Sequence, residues 1–202
     1  IERLRDAERL TEALKSSVFV LAAAVESRDP YTAGHQSHVG VLAEAIGRDL
    51  GLDEDRIQGL VLGASIHDLG KISISHSTLG KTGELTDAEW EILKAHPTTG
   101  WTIASRFPWP WPIAEMIHQH HERMDGSGYP LGLRGDEILL ESRIIAVADL
   151  YEAMANDRPY RTAPGAARAR AVLSEGRGRL FDADVVDSFE RVMARGFEFP
   201  SA

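Results

Sequence analysis

An all-α fold, a bundle of helices joined by short turns, is predicted from three observations. Apolar residues recur at steps of three and four along most of the 202 residues, the period of a helix with one buried face. No stretch alternates apolar and polar residues as a half-buried strand does. Helix caps and stops punctuate the segments, among them Asp53, Gly51, Pro97 and the capping box Thr86-Asp87-Ala88-Glu89. Apolar residues make up 43% of the chain and charged residues 26%, which suits one globular domain with a real core.

Residues 1 to about 27 read as one long helix. Leu4, Ala7, Thr11, Leu14, Val18, Leu21 and Val25 step by three and four as a heptad-like seam, with Thr11 its weak member. The first half is charged, through Glu2, Arg3, Arg5, Asp6, Glu8 and Arg9, whereas residues 18–25 are rich in apolar side chains. Residues 1–17 are therefore read as a connector helix from an upstream domain, and residues 18–202 as the domain itself. The seam suits a two-helix contact, and with it a homodimer through this helix. The plainer alternative is an amphipathic helix packed on its own domain. The first residue is Ile, so a piece of a longer protein is expected.

Asp29-Pro30 ends that helix. A second runs from about 33 to 50, with His35, Leu42 and Ile46 on one face. A third starts near the cap Asp53 and carries Ile57, Leu60, Val61 and Ala64 as its stripe. His67 and Asp68 extend that stripe by three and four residues, and Leu69-Gly70-Lys71 stops it. Residues 72–85, rich in Ser and Gly, are expected to form an irregular connection with His76 at the surface. The capping box starts a helix through Trp90 and Leu93 that stops at His96-Pro97, and Pro97 begins a short helix toward Phe107. Pro108-Trp109-Pro110-Trp111-Pro112 is a stiff corner with its two Trp packed. Pro112 then occupies the first position of a helix in which Ile113, Met116, Ile117, His120 and His121 follow one stripe, leaving His118 on the solvated side. Gly126, Gly128, Gly132 and Gly135 mark a loop of unusual backbone angles. A helix from about 139 to 155 puts Ile145, Asp149 and Glu152 on one face. After a turn over 156–162, helices from about 164 to 175 and from 182 to about 195 close the chain.

The composition excludes several chemistries. With no Cys there is no thiolate metal site, disulfide or thiol nucleophile. A net charge of −9 opposes a broad face for long nucleic acid, though not a small phosphate ligand held by a few cations. No apolar run approaches the roughly 20 residues of a membrane span, and no signal-peptide pattern begins the chain. A cytoplasmic location is expected, including that of the cytoplasmic part of a membrane-anchored sensor.

What remains is a set of imidazoles and carboxylates at the ends of apolar stripes: His35, His67, Asp68, His96, His120, His121 and Asp149. A buried polar ring or carboxylate without a partner is costly. Hydrogen-bonded core histidines and an Asp149 ion pair with a buried Arg are the plain alternatives for single members. Taken together, seven such groups suit two octahedral ions sharing a carboxylate, with Asp68 between them. Nitrogen and oxygen donors favour Fe, Mn, Ni or Zn.

Several motifs then fall into one pattern. His67-Asp68 is followed by Lys71, and His120-His121-Glu122 by Asp125-Gly126-Ser127-Gly128-Tyr129-Pro130. Arg28-Asp29-Pro30 leads to Thr32 and His35, Leu85-Thr86 precedes His96-Pro97, and Asp149 precedes Asp157-Arg158-Pro159-Tyr160-Arg161. From about Val18 to Glu190 the sequence resembles the bacterial HD-GYP phosphodiesterases. The resemblance implies an HD-domain helical bundle with additional C-terminal helices behind the N-terminal connector. It implies hydrolysis of cyclic di-GMP to pGpG and often GMP, with water activated between two divalent ions, Fe or Mn foremost. It gives the seven groups above as metal ligands, Asp68 and Lys71 as catalytic, and Lys71 as a phosphate contact. It also places Tyr129, Glu152, Arg158 and Arg161 near the bases and phosphates of the ligand, and implies an upstream sensor or receiver domain. Two positions depart from the pattern. Tyr31 stands four residues before His35, where three-metal members have Glu; a phenol with a pKa of about 10 is a poor ligand near neutral pH, so two ions are expected. Thr82 stands where Pro is frequent.

Overall fold

The helices form where the apolar stripes run and bury those stripes against one another, as seen in a computed structural model that describes residues 16–28, 34–81, 83–155 and 164–200. In chain order they are α1 (residues 16–26), α2 (His35–Asp49), α3 (Glu54–Ser65), a 3-10 turn η1 (Leu69–Ser73), the single turn α4 (His76–Leu79), α5 (Asp87–Lys94) and α6 (His96–Ala104). Then come α7 (Ile113–Gln119), a second 3-10 turn η2 (Gly135–Glu137), α8 (Leu140–Ala155), α9 (Ala166–Gly176) and α10 (Ala183–Ala194). The fold is all-α: the described residues contain no strand, only isolated bridges of Asp125 with Arg134 and Arg177 with Phe181.

Helix α2 is the hub, packed on α3, α8 and α10. Its Val39, Leu42, Ala43 and Ile46 are fully buried, against Leu60 and Ala64 of α3 and Ile144, Ile145, Val147 and Ala148 of α8. Each large side chain so buried is worth about 1.5–3 kcal/mol. Helix α7 seats Ile113, Met116 and Ile117 in the same core. Small residues allow it to come close: a Cβ at Gly63 of α3 would stand 2.5 Å from the Met116 sulfur. Trp109 and Trp111 pack on the core edge, as the proline corner suggested.

Local chemistry sets the boundaries. Asp53 caps α3 by accepting from the Arg56 amide at 2.9 Å, and the Thr86–Glu89 capping box is formed in both directions. Four expectations need correction. Helix α3 ends at Ser65, so His67 and Asp68 lie in the turn before η1 rather than on the helix. Pro112 is the N-cap of α7, not its first helical residue. The 72–85 connection is not wholly irregular, because Ser75 caps the one-turn α4 through the Thr78 amide. The heptad-like seam divides on α1: Val18 and Val25 are buried with Ala22, whereas Leu21 is 58% exposed. Residues 1–15, where the seam begins, and Asp29-Pro30 lie outside the described residues.

The bundle is tied at the α2 C-terminus by Asp49. Its carboxylate accepts from the Ser188 hydroxyl at 2.8 Å and from Arg191 Nε at 2.8 Å, and it pairs with Arg195. Burial alone would raise its pKa, but the bonds from Arg191, Ser188 and Arg195 outweigh burial and hold it at about 2. A depressed carboxylate contributes stability that is present above its unfolded pKa of about 3.9 and is lost as pH falls toward 2. Asp49→Asn is expected to lower stability by about 1–2 kcal/mol at pH 7, since both guanidinium partners are half-exposed, and by little near pH 2. Urea unfolding at the two pH values measures the difference.

Candidate metal centre

Five places in the chain supply the candidate ligands, and the fold brings all seven together. His35 lies in the first turn of α2, His67 and Asp68 before η1, and His96 at the start of α6. His120 and His121 follow the end of α7, and Asp149 projects from α8. Ring centroids are 5.4 Å apart for His35 and His67, 5.0 Å for His67 and His120, 5.3 Å for His96 and His120, and 5.0 Å for His96 and His121. His35, His67 and Asp149 form one group of converging donor atoms, and His96, His120 and His121 another. Asp68 stands between them. Its Oδ1 is 3.2 Å from His96 Nε2, its Oδ2 is 3.5 Å from His67 Nε2, and Lys71 Nζ lies 2.7 Å from Oδ2.

Backbone carbonyls set the tautomers. His67, His96 and His120 each direct Nδ1, at 2.7 Å, to the carbonyl three residues earlier, on Ala64, Leu93 and Ile117. An Nδ1–H donating there leaves Nε2 as a lone pair turned into the cluster. The Nε2 atoms of His96 and His120 are only 3.2 Å apart. Two lone pairs at that separation repel unless a proton or a metal cation lies between them. With two groups of converging nitrogen and oxygen donors around them, the residues present fit a metal centre.

The charges agree with that fit. Burial, reinforced by neighbouring imidazoles, pushes His120 and His121 well below the ordinary histidine range, so both rings are neutral. Burial opposes ionisation of Asp68, but the Lys71 ammonium beside it outweighs burial and holds the carboxyl well below the usual range. Asp149 is likewise depressed against its burial, chiefly by the hydrogen bond from His35. Neutral imidazoles and ionised carboxylates are the forms that bind metal. His35 differs: burial opposes its charge, yet Asp149 and Glu152 raise it to about 9, so a cation at its Nε2 must displace a proton.

The glycine-rich loop rims the second group. Tyr129 stacks on His121 with ring centroids 4.7 Å apart, followed by a cis bond to Pro130. A Cβ at Gly128 would lie 2.4 Å from the Arg123 amide nitrogen, so only glycine lets the loop fold back this closely. Glu122, 3% exposed, organises the loop by accepting from the amides of Leu131 at 2.7 Å, Gly132 at 3.2 Å and Leu133 at 3.0 Å.

Comparison with known proteins now settles the family. Residues 20–185 match the family model described as HD domain. The chain belongs to the HD-domain family. The chain is 41% identical over 179 residues, 87% of its length and 47% of the relative's, to the cyclic di-GMP phosphodiesterase response regulator RpfG of Xanthomonas campestris pv. campestris. It is 38% identical over 170 residues, 84% of its length and 37% of the relative's, to 3'3'-cGAMP-specific phosphodiesterase 3 of Vibrio cholerae. This HD domain thus spans less than half the length of these curated relatives. Among solved structures, Bd1817, an HDG"Y"P protein from Bdellovibrio bacteriovorus, shares the fold with a TM-score of 0.67 at 20% identity, over 82% of this chain and 53% of that one.

Three residues of this HD domain have places that the sequence did not disclose. Glu152, expected near a bound ligand, hydrogen-bonds His35 Nδ1 and approaches His38 Nδ1 at 3.4 Å. It is 4% exposed. Glu122 carried no assigned role, because its partners lie nine to eleven residues further on and are backbone amides. His38 was not singled out, since one imidazole on a helix carries no signal by itself. Arg158, Arg161, Tyr31, Thr32 and Thr82 lie outside the described residues. Glu122→Ala would take the carboxylate from three loop amides, and because Leu131 and Gly132 are exposed, water replaces part of what is lost. A loss of about 1–2 kcal/mol in unfolding free energy is expected, with faster hydrogen exchange at Leu131, Gly132 and Leu133.

Proposed function

We propose that this HD domain is a metal-dependent phosphodiesterase that hydrolyses cyclic di-GMP to pGpG or onward to GMP, as the output of a longer bacterial signalling protein. The single observation that carries the reading is Asp68, with one oxygen toward each group of histidines and the Lys71 ammonium on the second. His35, His67 and Asp149 would hold one divalent ion, His96, His120 and His121 the other, and Asp68 both. Fe or Mn is proposed, as the family resemblance implies, and Ni or Zn is also compatible with this donor set. With Tyr31 in place of a carboxylate, two ions are proposed rather than three.

Bound there, the ions supply water activation and neutralise phosphoryl charge. The chain supplies the rest. Lys71 sets a cation beside Asp68, where it offsets charge growing on a phosphoryl oxygen. Tyr129 stands at the rim and positions a base or sugar. Arg158 and Arg161 are assigned to the second phosphate or a guanine edge, which a planar guanidinium can grip with two bonds.

A second reading, hydrolysis of 3'3'-cGAMP, is favoured by the relative named for that substrate. The test is elemental analysis of anaerobically purified protein alongside turnover of both dinucleotides. Higher kcat/KM for cyclic di-GMP is expected; the reverse order assigns the second reading, and two bound ions without turnover leaves a binding module. We place this segment in the cytoplasm, behind a sensor or receiver domain, with a homodimer through the N-terminal helix. Phe19, Val20 and Leu21, all exposed on α1, support that contact. Among the described residues no helix is long and apolar enough to cross a membrane.

A further inference from the structure

His35 is supported differently from the other candidate ligands. His67, His96 and His120 follow or end a helix or turn, where a carbonyl three residues back receives Nδ1. His96 also opens a helix, but α5 runs directly into α6 and supplies the Leu93 carbonyl. His35 opens α2 after the left-handed Gly34, and its Nδ1 partner comes from another element, the Glu152 carboxylate on α8. The second Glu152 oxygen faces His38 Nδ1 at 3.4 Å. The His38 ring in turn lies flat on Phe199, with centroids 4.7 Å apart and planes 24° from parallel. Phe199 belongs to the segment after α10 and rests against Tyr151 and Phe197.

We propose that Glu152 is a positioning residue for His35, and that Phe199 holds it in place through His38, so that the C-terminal segment helps set the affinity of the His35, His67 and Asp149 site for its cation. The inference rests on the metal reading above. Glu152 fixes the His35 tautomer, with Nδ1 protonated and Nε2 turned toward Asp149 at 3.2 Å. A glutamate has three rotatable bonds, and His38 restrains the last of them. Phe199 denies His38 the space to swing away.

The experiment is calorimetric titration of the chelator-treated protein with Mn2+ alone, paired with KM for cyclic di-GMP. Two binding events are expected for the parent protein; their absence would remove the metal reading itself. Given two events, Glu152→Ala is expected to weaken one of them 10- to 100-fold and leave the other unchanged. Glu152→Asp should recover part of that loss. Phe199→Ala is expected to weaken the same event several-fold, and Phe199→Tyr, which keeps the stacked ring, to restore it. If Glu152→Ala binds both ions as the parent does while KM rises, Glu152 is a substrate contact and the inference fails. If Phe199→Ala lowers the melting temperature without moving either event, the C-terminal link fails. Phe199→Leu, which keeps the apolar bulk but not the ring, serves where the alanine variant does not fold.

Discussion

Asp68→Ala is expected to reduce cyclic di-GMP turnover by at least about a thousandfold, the scale lost when a principal charge-stabilising group leaves an active site. The helices should remain folded. Asp68 lies in a turn rather than inside a helix, and its contacts are to His67, His96 and Lys71 rather than to the aliphatic core. Its removal leaves the two histidine groups without the carboxylate that faces both, and Lys71 without the oxygen that locates its ammonium. Loss of a few degrees in the melting temperature, about 1–2 kcal/mol in a domain this size, is the expected structural effect. Turnover measured with excess Mn2+, together with a thermal melt, decides the matter. Full activity in a metal-replete variant would remove the shared-carboxylate mechanism.

The second large effect is expected at Gly70. A Cβ there would stand 1.8 Å from the His96 carbonyl oxygen and 2.6 Å from the Gly100 amide nitrogen. Both are backbone atoms, so no side chain can swing aside. Gly70→Ala must push η1 away from α6, and a loss of about 3 kcal/mol or more is expected. The same displacement pulls Lys71 and Asp68 from His96, across a contact of 3.2 Å between Asp68 and His96. Weaker Mn2+ binding should therefore accompany the lower urea midpoint. Gly100→Ala provides the contrast. Its Cβ would meet the buried Ile117 Cγ2 methyl at 2.6 Å and the nearest backbone atom, the Gly70 amide nitrogen, only at 3.1 Å, so a smaller loss is expected. A Gly70→Ala protein as stable as the parent would show that η1 and α6 can separate freely.

Helices were legible because each carried its own signal. The stripe of Leu42 and Ile46, the cap at Asp53 and the box at Thr86 are local features, and the structure reproduces them within a residue or two. The convergence of the seven imidazole and carboxylate groups was legible for a related reason: each ends or begins an apolar run, so each is aimed inward. The path taken at His67 and Asp68 was not legible. The helical period carried them past Ser65 on paper, whereas the chain leaves α3 there and reaches the same interior through a turn and η1. Leu21 also misled, because period alone does not say which half of an apolar helix meets the core. Glu152 shows the limit most plainly. Its spacing from Asp149 gave it an inward face, but its partner His35 lies 117 residues away, and only the packing of α8 on α2 joins them.

The spread of the candidate ligands along the chain has a consequence for handling the protein. A cation gripped by His35 and Asp149 would close a loop that runs from the first turn of α2 to the middle of α8, and so would fasten the ends of most of the bundle. An unfolded chain has no such grip, so a bound ion would behave as a removable staple. At a free concentration a hundred times its dissociation constant it adds about 2.7 kcal/mol to the unfolding free energy. Chelating buffers would then loosen the domain as a whole, and the melting temperature would report how well the protein is charged.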